Sequence, residues 1–313
     1  MPRRRAARVD PRALARAVME HHLGAAPRRV APAHGGLQND VLEVAHAEGD
    51  FVIRIGRVPE KLNAYLKEQW SMKRAREVGV PVPEVLEVGN EAIGRPYMVA
   101  RRVEGRPGTQ CEDRPAVLRA MGALAARIHT IRTTGFGATF DWSHNRLSHN
   151  ATLRAFLQRE LCVASRLATL ERLRMLDAAR LERLAKLVRS LSRNRMPSTL
   201  NHGDLRLKNV MVDDRDRIVA LIDWDEALAC AGPAWDLAIA LHDLSIDEKD
   251  AFTRGYGLDA RALRTHRGAM RAFNLLNYAP KAEELAGRRD REGLAALRLR
   301  LSGAFDLYAM EAR

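Results

Sequence analysis

The sequence predicts an α+β protein of two lobes: a small antiparallel-sheet N-lobe with one inserted helix, then a mostly helical C-lobe. Three observations predict it. The chain has 313 residues, and single cores stop growing near ~250–300 residues. Short β-branched runs dominate up to about Val103, and long helical stripes dominate after it. Between them Glu104-Gly105-Arg106-Pro107-Gly108 interrupts both patterns, so the expected units are 1–29 (basic tail and first helix), 30–105 (N-lobe) and 106–313 (C-lobe).

Residues 1–8 are basic without apolar periodicity, as a solvated end would be. Asp10 as N-cap and Pro11 at the first helical position start a helix in which Leu14, Val18 and Met19 share a face, and Gly24 stops it. Val41–Val44 and Phe51–Ile55 are β-rich runs on either side of Glu48-Gly49-Asp50, the pattern of an antiparallel hairpin. Lys61 to Val78 reads as a helix, ended by Gly79 and Pro81-Val82-Pro83. Val85–Val88 and Tyr97–Val103 supply two more strands. In the C-lobe, Leu118, Met121, Leu124, Ala125 and Ile128 make a helical stripe within Val117–Ile131. Leu153 to Leu191 repeats that pattern, with a break expected near Leu173–Asp177. Val210–Val212 and Ile218–Ile222, separated by Asp213–Asp216, predict a small hairpin with polar residues at its ends.

With 46% hydrophobic and 29% charged residues, the chain builds a core and is far from the composition of disordered proteins. No apolar run approaches the ~18 residues of a membrane helix, so no membrane partner is expected. The N-terminus lacks the apolar core of a secretory signal, which makes a cytoplasmic location the expectation. Cys111, Cys162 and Cys230 are too scattered for a disulfide framework or a metal knuckle. The net charge of +13 is unevenly spread: Met196–Asp259 holds six Lys or Arg against thirteen Asp or Glu. The basic remainder sits largely on helix faces, where solvation is the usual role, and no nucleic-acid partner is expected. The acidic segment is where a cation-binding centre would lie.

Within that segment Asp204 and Asn209 stand five apart in a loop before one strand, and Asp223 ends the next strand, nineteen residues after Asp204. Phosphoryl transfer from a nucleotide requires such a set: a carboxylate to orient and deprotonate an incoming hydroxyl, and oxygen ligands for Mg2+ ions that neutralise the phosphates. Any one of these residues could merely cap a turn; their joint spacing carries the reading. Walker-type, zinc-hydrolase and nucleophile-elbow motifs are all absent from the sequence.

His202-Gly203-Asp204 with Asn209, followed by Ile222-Asp223-Trp224, is similar to the signature of the aminoglycoside phosphotransferase family, relatives of the choline kinases. Gly35-Gly36-Leu37-Gln38-Asn39, Val80-Pro81-Val82-Pro83, Ala123 to His129, and Trp235-Asp236-Leu237-Ala238 extend the resemblance from about Val30 to Tyr256. It implies a bilobal protein-kinase-like fold with a nucleotide-binding N-lobe and a C-lobe that binds the acceptor and carries the chemistry. It implies Asp204 as catalytic base or hydroxyl-orienting carboxylate, and Asn209 and Asp223 as Mg2+ ligands. Gly35, Gly36 and Asn39 fall in the nucleotide loop, where glycines let backbone N–H groups approach phosphate oxygens. Arg54 takes the place of the cation that grips the α- and β-phosphates, a Lys in protein kinases. Glu68 is its implied acidic partner, with Glu77 as competitor. Asp236 is implied to support the catalytic loop through backbone hydrogen bonds, and His202 to be structural. Ala231-Gly232-Pro233 stands where the family usually shows Gly-Asp-Pro, so one expected acid is missing.

The expected activity is that of a small-molecule O-phosphotransferase, moving the γ-phosphoryl group of ATP or GTP to a hydroxyl of an antibiotic-like or metabolite acceptor. An aminoglycoside is a candidate, since Asp243, Asp247, Glu248 and Asp250, with Asp225 and Glu226, would attract a polycation. The expected partners are thus a nucleotide and a hydroxyl-bearing small molecule; the sequence carries no statement of oligomeric state. The alternatives are a catalytically weak kinase-like binding module, for which Arg54 and the missing acid speak, and a kinase for a metabolite such as an amino alcohol. A protein kinase is disfavoured, because only twelve residues lie between Asp223 and Asp236 and no A-P-E segment follows.

Overall fold

A computed structural model describes residues 10–33, 39–141, 143–193, 196–242 and 244–307. Helix α1 (Pro11–Leu23) starts where Asp10 accepts the Arg12 N–H at 3.0 Å, and ends where Gly24 turns left-handed and returns its N–H to Glu20. Strands β1 (Arg29–Pro32), β2 (Asn39–His46) and β3 (Gly49–Gly56), helix α2 (Lys61–Glu77), and strands β4 (Val85–Gly89) and β5 (Tyr97–Arg101) follow. The strands form one antiparallel sheet in the order β1-β2-β3-β5-β4. The hairpin expected around Glu48-Gly49-Asp50 is β2–β3, with Val44 opposite Phe51. Strand β1 carries no alternation in sequence, because its four residues bury Val30 alone.

Two separate cores result. Phe51, Ile53 and Ile55 alternate onto the buried face of β3 and, with Leu42, Val99 and the α1 residues Ala15, Val18 and Met19, close a core of the sheet's own. Helix α2 belongs elsewhere. Its Tyr65, Met72 and Ala75 pack into the larger core built by the C-lobe.

Strand β6 (Arg106–Pro107) leaves the sheet and pairs with a later strand of the C-lobe. Next come α3 (Arg114–Ile128), the short β7 (Phe140–Asp141) and β8 (Arg146–Leu147), then α4 (Leu153–Arg159), α5 (Val163–Arg172) and α6 (Ala178–Leu191). The break expected near Leu173–Asp177 separates α5 from α6. A second break, between α4 and α5, corrects the expected single interruption: Cys162 turns left-handed at φ 50° with no glycine to announce it. Strands β9 (Ser198–Asn201), β10 (Val210–Val212), β11 (Ile218–Leu221) and β12 (Leu228–Ala231) follow, then α7 (Ala234–Ala240), α8 (Ile246–Tyr256), α9 (Ala260–Asn277), α10 (Ala279–Gly287) and α11 (Arg291–Leu307). The predicted hairpin is β10–β11, with β6 on the other side of β10. β9 pairs antiparallel with β12, which brings the loop after Asn201 to the turn before Leu228.

Candidate active site

The loop between β9 and β10 crosses the turn Trp224–Glu226, and Gly203 makes the crossing feasible. Its φ is +91°, and a Cβ there would sit 1.9 Å from the Glu226 carbonyl oxygen. His202, fully buried, ties the two segments together. Its Nε2–H donates to the Ile222 carbonyl (3.0 Å), its ring packs on Trp224 (4.5 Å between centroids), and its Nδ1 faces the Asp204 N–H (3.4 Å). Burial lowers the His202 pKa, with Asp236 opposing, so the ring is a neutral structural group. Asp236, in the first turn of α7 and wholly buried, accepts the backbone N–H of His202 (2.7 Å) and of Gly203 (2.8 Å), and a bond from His129 Nε2 (3.0 Å).

Asp204 lies in this loop, 20% exposed, and both its oxygens are engaged. Oδ1 is 2.9 Å from Arg206 Nε, and Oδ2 is 2.7 Å from Lys208 Nζ. Asn209 Nδ2 donates to the Asp204 carbonyl (2.8 Å) and to Oδ2 (3.0 Å). Burial works against the charge of this carboxyl, yet Lys208 and Arg206 outweigh it and hold the pKa below the ordinary range. The group is an anion at neutral pH. The Ile222 N–H donates to the Asn209 carbonyl at 2.9 Å, which anchors the start of the next loop to this one. Asp223 follows immediately, exposed and left-handed at φ 64°, a conformation Asp tolerates better than most residues.

The donor set suits Mg2+. Asn209 uses its amide nitrogen internally, which leaves its oxygen, and Asp223 adds a carboxylate; Mg2+ is commonly held by one or two carboxylates together with phosphate oxygens. Among the described residues no group of three or more His, Cys, Asp or Glu is arranged to hold a metal ion.

Arg54, at the centre of β3, donates to Glu68 on α2 at 2.5 Å and stacks over the Tyr65 ring at 5.3 Å. Burial disfavours the guanidinium charge, but Glu68, then Tyr65, Asp225 and Asp223, overcome it and raise the Arg54 pKa. Burial also pushes Glu68 up to about 7, with Arg54 opposing. Glu77, the competitor, pairs with Arg74 on the exposed face of the helix. Three polar atoms around this pair, Glu68 Oε1, Tyr65 OH and Ser71 Oγ, are buried without a hydrogen-bond partner among the described residues, as is Asn39 Oδ1 at the start of β2. A polar ligand fits such a place. Gly35 and Gly36 lie outside the described residues.

One contact here has no local sequence signal: Lys61, at the start of α2, bridges to Asp225 at 2.8 Å. Burial would raise the Asp225 pKa, but Lys61 lowers it on balance, so the acid expected to attract a polycation is already neutralised. On the other side of Asp204 stand Tyr278, at the junction of α9 and α10, His242 after α7, and Arg300 on α11. Arg300 Nε is 2.6 Å from His242 Nε2, and its guanidinium carbon is 5.3 Å from the Tyr278 ring centroid. These residues lie up to ninety-six positions from Asp204, and no local motif announces them.

A small antiparallel lobe carrying a paired arginine, and a helical lobe whose crossed loops present Asp204, Asn209 and Asp223, define a kinase-like phosphotransferase. The chain belongs to the phosphotransferase enzyme family (APH), whose sequence profile matches residues 29–273. It is accordingly a phosphotransferase with an alcohol group as acceptor. The structure is similar to the aminoglycoside phosphotransferase APH(4)-Ia, with 18% identity and a TM-score of 0.70 over 96% of this chain and 99% of that one. A thermostable mutant of that enzyme forms a ternary complex with ADP and hygromycin B. It is also similar to aminoglycoside 2'-phosphotransferase-IIIa, seen with GDP (15% identity, TM-score 0.65, 94% and 98% covered). Macrolide 2'-phosphotransferase MphH from Brachybacterium faecium gives 18% identity and a TM-score of 0.58, with 92% and 97% covered. At these identities the likeness is one of fold. No curated protein matches the sequence. Among the described residues no helix is long and apolar enough to cross a membrane.

Proposed function

We propose that the protein moves the γ-phosphoryl group of ATP or GTP to a hydroxyl of a small-molecule acceptor. The observation that carries this reading is the cross-linking of the two loops: the Asn209 amide holds Asp204, and the Asn209 carbonyl holds the residue before Asp223. Asp204, kept ionised by its neighbours, orients the acceptor hydroxyl and takes its proton. The Lys208 side chain, 56% exposed, can move off Oδ2 as the hydroxyl arrives. Asn209 and Asp223 would hold Mg2+, which when bound supplies positive charge against the phosphate oxygens. Arg54, fixed by Glu68, adds a fork of donors for the same oxygens, and Asn39 with Gly35 and Gly36 would complete the nucleotide contacts. A cytoplasmic location, where nucleoside triphosphates are abundant, fits this chemistry. Aminoglycosides, macrolides and amino alcohols are the first acceptors to try.

The test is nucleoside-diphosphate release from MgATP and MgGTP across a panel of those acceptors. Release should depend on one acceptor class, and Asp204→Asn should lower kcat by roughly 10²–10⁴-fold, the usual contribution of a positioned base. Release that ignores the acceptor, or that survives in Asp204→Asn, would overturn the assignment.

A further inference from the structure

We infer that His129 is a positioning residue for the transfer: its Nε2–H, held in place by the Tyr256 hydroxyl, completes the set of donors through which Asp236 fixes the backbone before Asp204. The inference rests on the phosphotransferase reading above and adds a residue that acts through two others. Asp236 is wholly buried, and its two oxygens meet three groups. Oδ1 takes the Gly203 N–H at 2.8 Å, while Oδ2 takes the His202 N–H at 2.7 Å and faces His129 Nε2 at 3.0 Å. Two of these groups are backbone donors, and a carboxylate, an acceptor only, has no proton for the third. His129 therefore donates, which puts a proton on Nε2. Its other ring nitrogen, Nδ1, lies 2.9 Å from the Tyr256 hydroxyl. Burial, with Asp236 adding to it, raises the Tyr256 pKa, so this hydroxyl keeps its proton and donates it to Nδ1. Each ring nitrogen then has a partner that suits one tautomer, and the bond at one nitrogen sets the proton on the other.

The chain of contacts runs from a rigid floor to the reacting group. His129 closes α3 and Tyr256 is the last residue of α8, and these helices touch along their backbones. A Cβ on Gly122 would lie 2.2 Å from the Phe252 carbonyl oxygen, and one on Gly255 would lie 1.9 Å from that of Arg119. At these two points the helices approach too closely for any side chain, so the backbone sets where Tyr256 stands against His129, with 5.5 Å between the ring centroids. At the other end, the peptide before Asp204 is gripped on both sides. Asp236 holds the Gly203 N–H, and Trp235 Nε1–H donates to the Gly203 carbonyl at 3.2 Å. The Asp236 backbone is itself fixed, because its N–H donates to Asn201 Oδ1 at 3.2 Å. The carboxylate alone is left to turn, and His129 Nε2–H is the side-chain contact that stops it. A carboxylate released from His129 shifts the Gly203 peptide, and Asp204 moves with it, whereas Arg54 on β3 is untouched.

Nitrogen NMR of the full chain labelled at histidine, with amide hydrogen exchange and kinetics, tests this. His129 should carry a proton on Nε2; a ring protonated at Nδ1 alone overturns the inference. His129→Gln puts an amide N–H near the place of Nε2, and His129→Asn puts one near Nδ1, where it meets Tyr256 instead of Asp236. Exchange at the His202 and Gly203 amides should therefore speed up by about tenfold or more in His129→Asn and stay within about threefold of wild type in His129→Gln. With the panel acceptor that supports turnover, kcat should fall about tenfold or more in His129→Asn and be largely restored in His129→Gln. The Kd of Mg·AMP-PNP, by calorimetry, should match wild type in both. Tyr256→Phe keeps the ring packing and removes only the donor to Nδ1, so it serves where a His129 variant fails to fold; its kcat should fall about twofold to tenfold. Equal losses in His129→Asn and His129→Gln, wild-type exchange and kcat in both, a Kd that rises as kcat falls, or a Tyr256→Phe enzyme indistinguishable from wild type overturns the inference. The phosphotransferase reading fails separately, if no acceptor of the panel yields nucleoside diphosphate while the proton position and the exchange rates hold.

Discussion

Asp236 acts on the reaction only through the loop it holds. Asp236→Ala leaves the N–H groups of His202 and Gly203 buried and unpaired, at ~1–3 kcal/mol each. Urea denaturation should therefore show a loss of roughly 2–6 kcal/mol, and kcat should fall further than the nucleotide KM rises, since the loop carries Asp204 while Arg54 is untouched. An unchanged unfolding midpoint would count against this role. His242 makes a pH prediction. Its ordinary pKa of 6.5 is pushed down to about 4 in the folded protein, so the unfolded chain binds the proton more readily. The stability it contributes is present above pH 6.5 and is lost as the pH falls from there towards 4. Thermal melts of wild type and His242→Gln should show a shallower acid decline in the variant across that window. Equal slopes would refute the assignment.

At the scale of elements, the β9–β10 loop and the Trp224–Glu226 turn form one unit because a glycine lies where they touch. Gly203→Ala places a methyl group into the Glu226 carbonyl and strains a positive φ, so the loop must shift. We expect a kcat loss of at least about tenfold, since small misplacements of a reacting group are costly. The melt should also fall; a crystal structure of the variant with both segments unmoved would disprove the account. Here the sequence was legible where chemistry is local. The Asp204, Asn209 and Asp223 spacing, the β2–β3 and β10–β11 hairpins and the caps at Asp10 and Gly24 all announce themselves within a few residues. What was not legible depends on distant partners. β9 and β12 are short, buried on every residue, and twenty-six positions separate Asn201 from Ala227, so neither alternation nor a turn marks their pairing. Lys61–Asp225 spans the two lobes, and Arg300 reaches Tyr278 from the last helix; neither contact has a local signal. The extra break at Cys162 was hidden for the opposite reason: a left-handed residue without the glycine that usually reveals one.

Among the described residues the lobes meet near the site through the ion pair Lys61–Asp225, while Arg54–Glu68 braces the N-lobe beside it. A nucleotide bound between them should stabilise the fold by mass action. At a hundred times its Kd, MgATP should add ~2.7 kcal/mol. The expected rise in Tm is several degrees and should require Mg2+; no shift at saturating MgATP would contradict the proposed donor site. Glu68→Ala should abolish most of that rise, because Arg54 loses the partner that aims it, and should itself cost roughly 3–5 kcal/mol as a broken buried pair.

The division of the apolar interior has a mechanical consequence. The sheet and α1 share one core, and α2 belongs to the other, yet Arg54 sits on the sheet and Glu68 on α2. The ion pair therefore ties the two blocks at β3, beside the contacts that Met98 of β5 and Val85 and Val88 of β4 make with the larger core. In amide hydrogen exchange, the β3 amides should open with the sheet, while those of α2 report the larger block. A phosphate that draws on Arg54, as proposed, would weaken this tie between β3 and α2 as it binds.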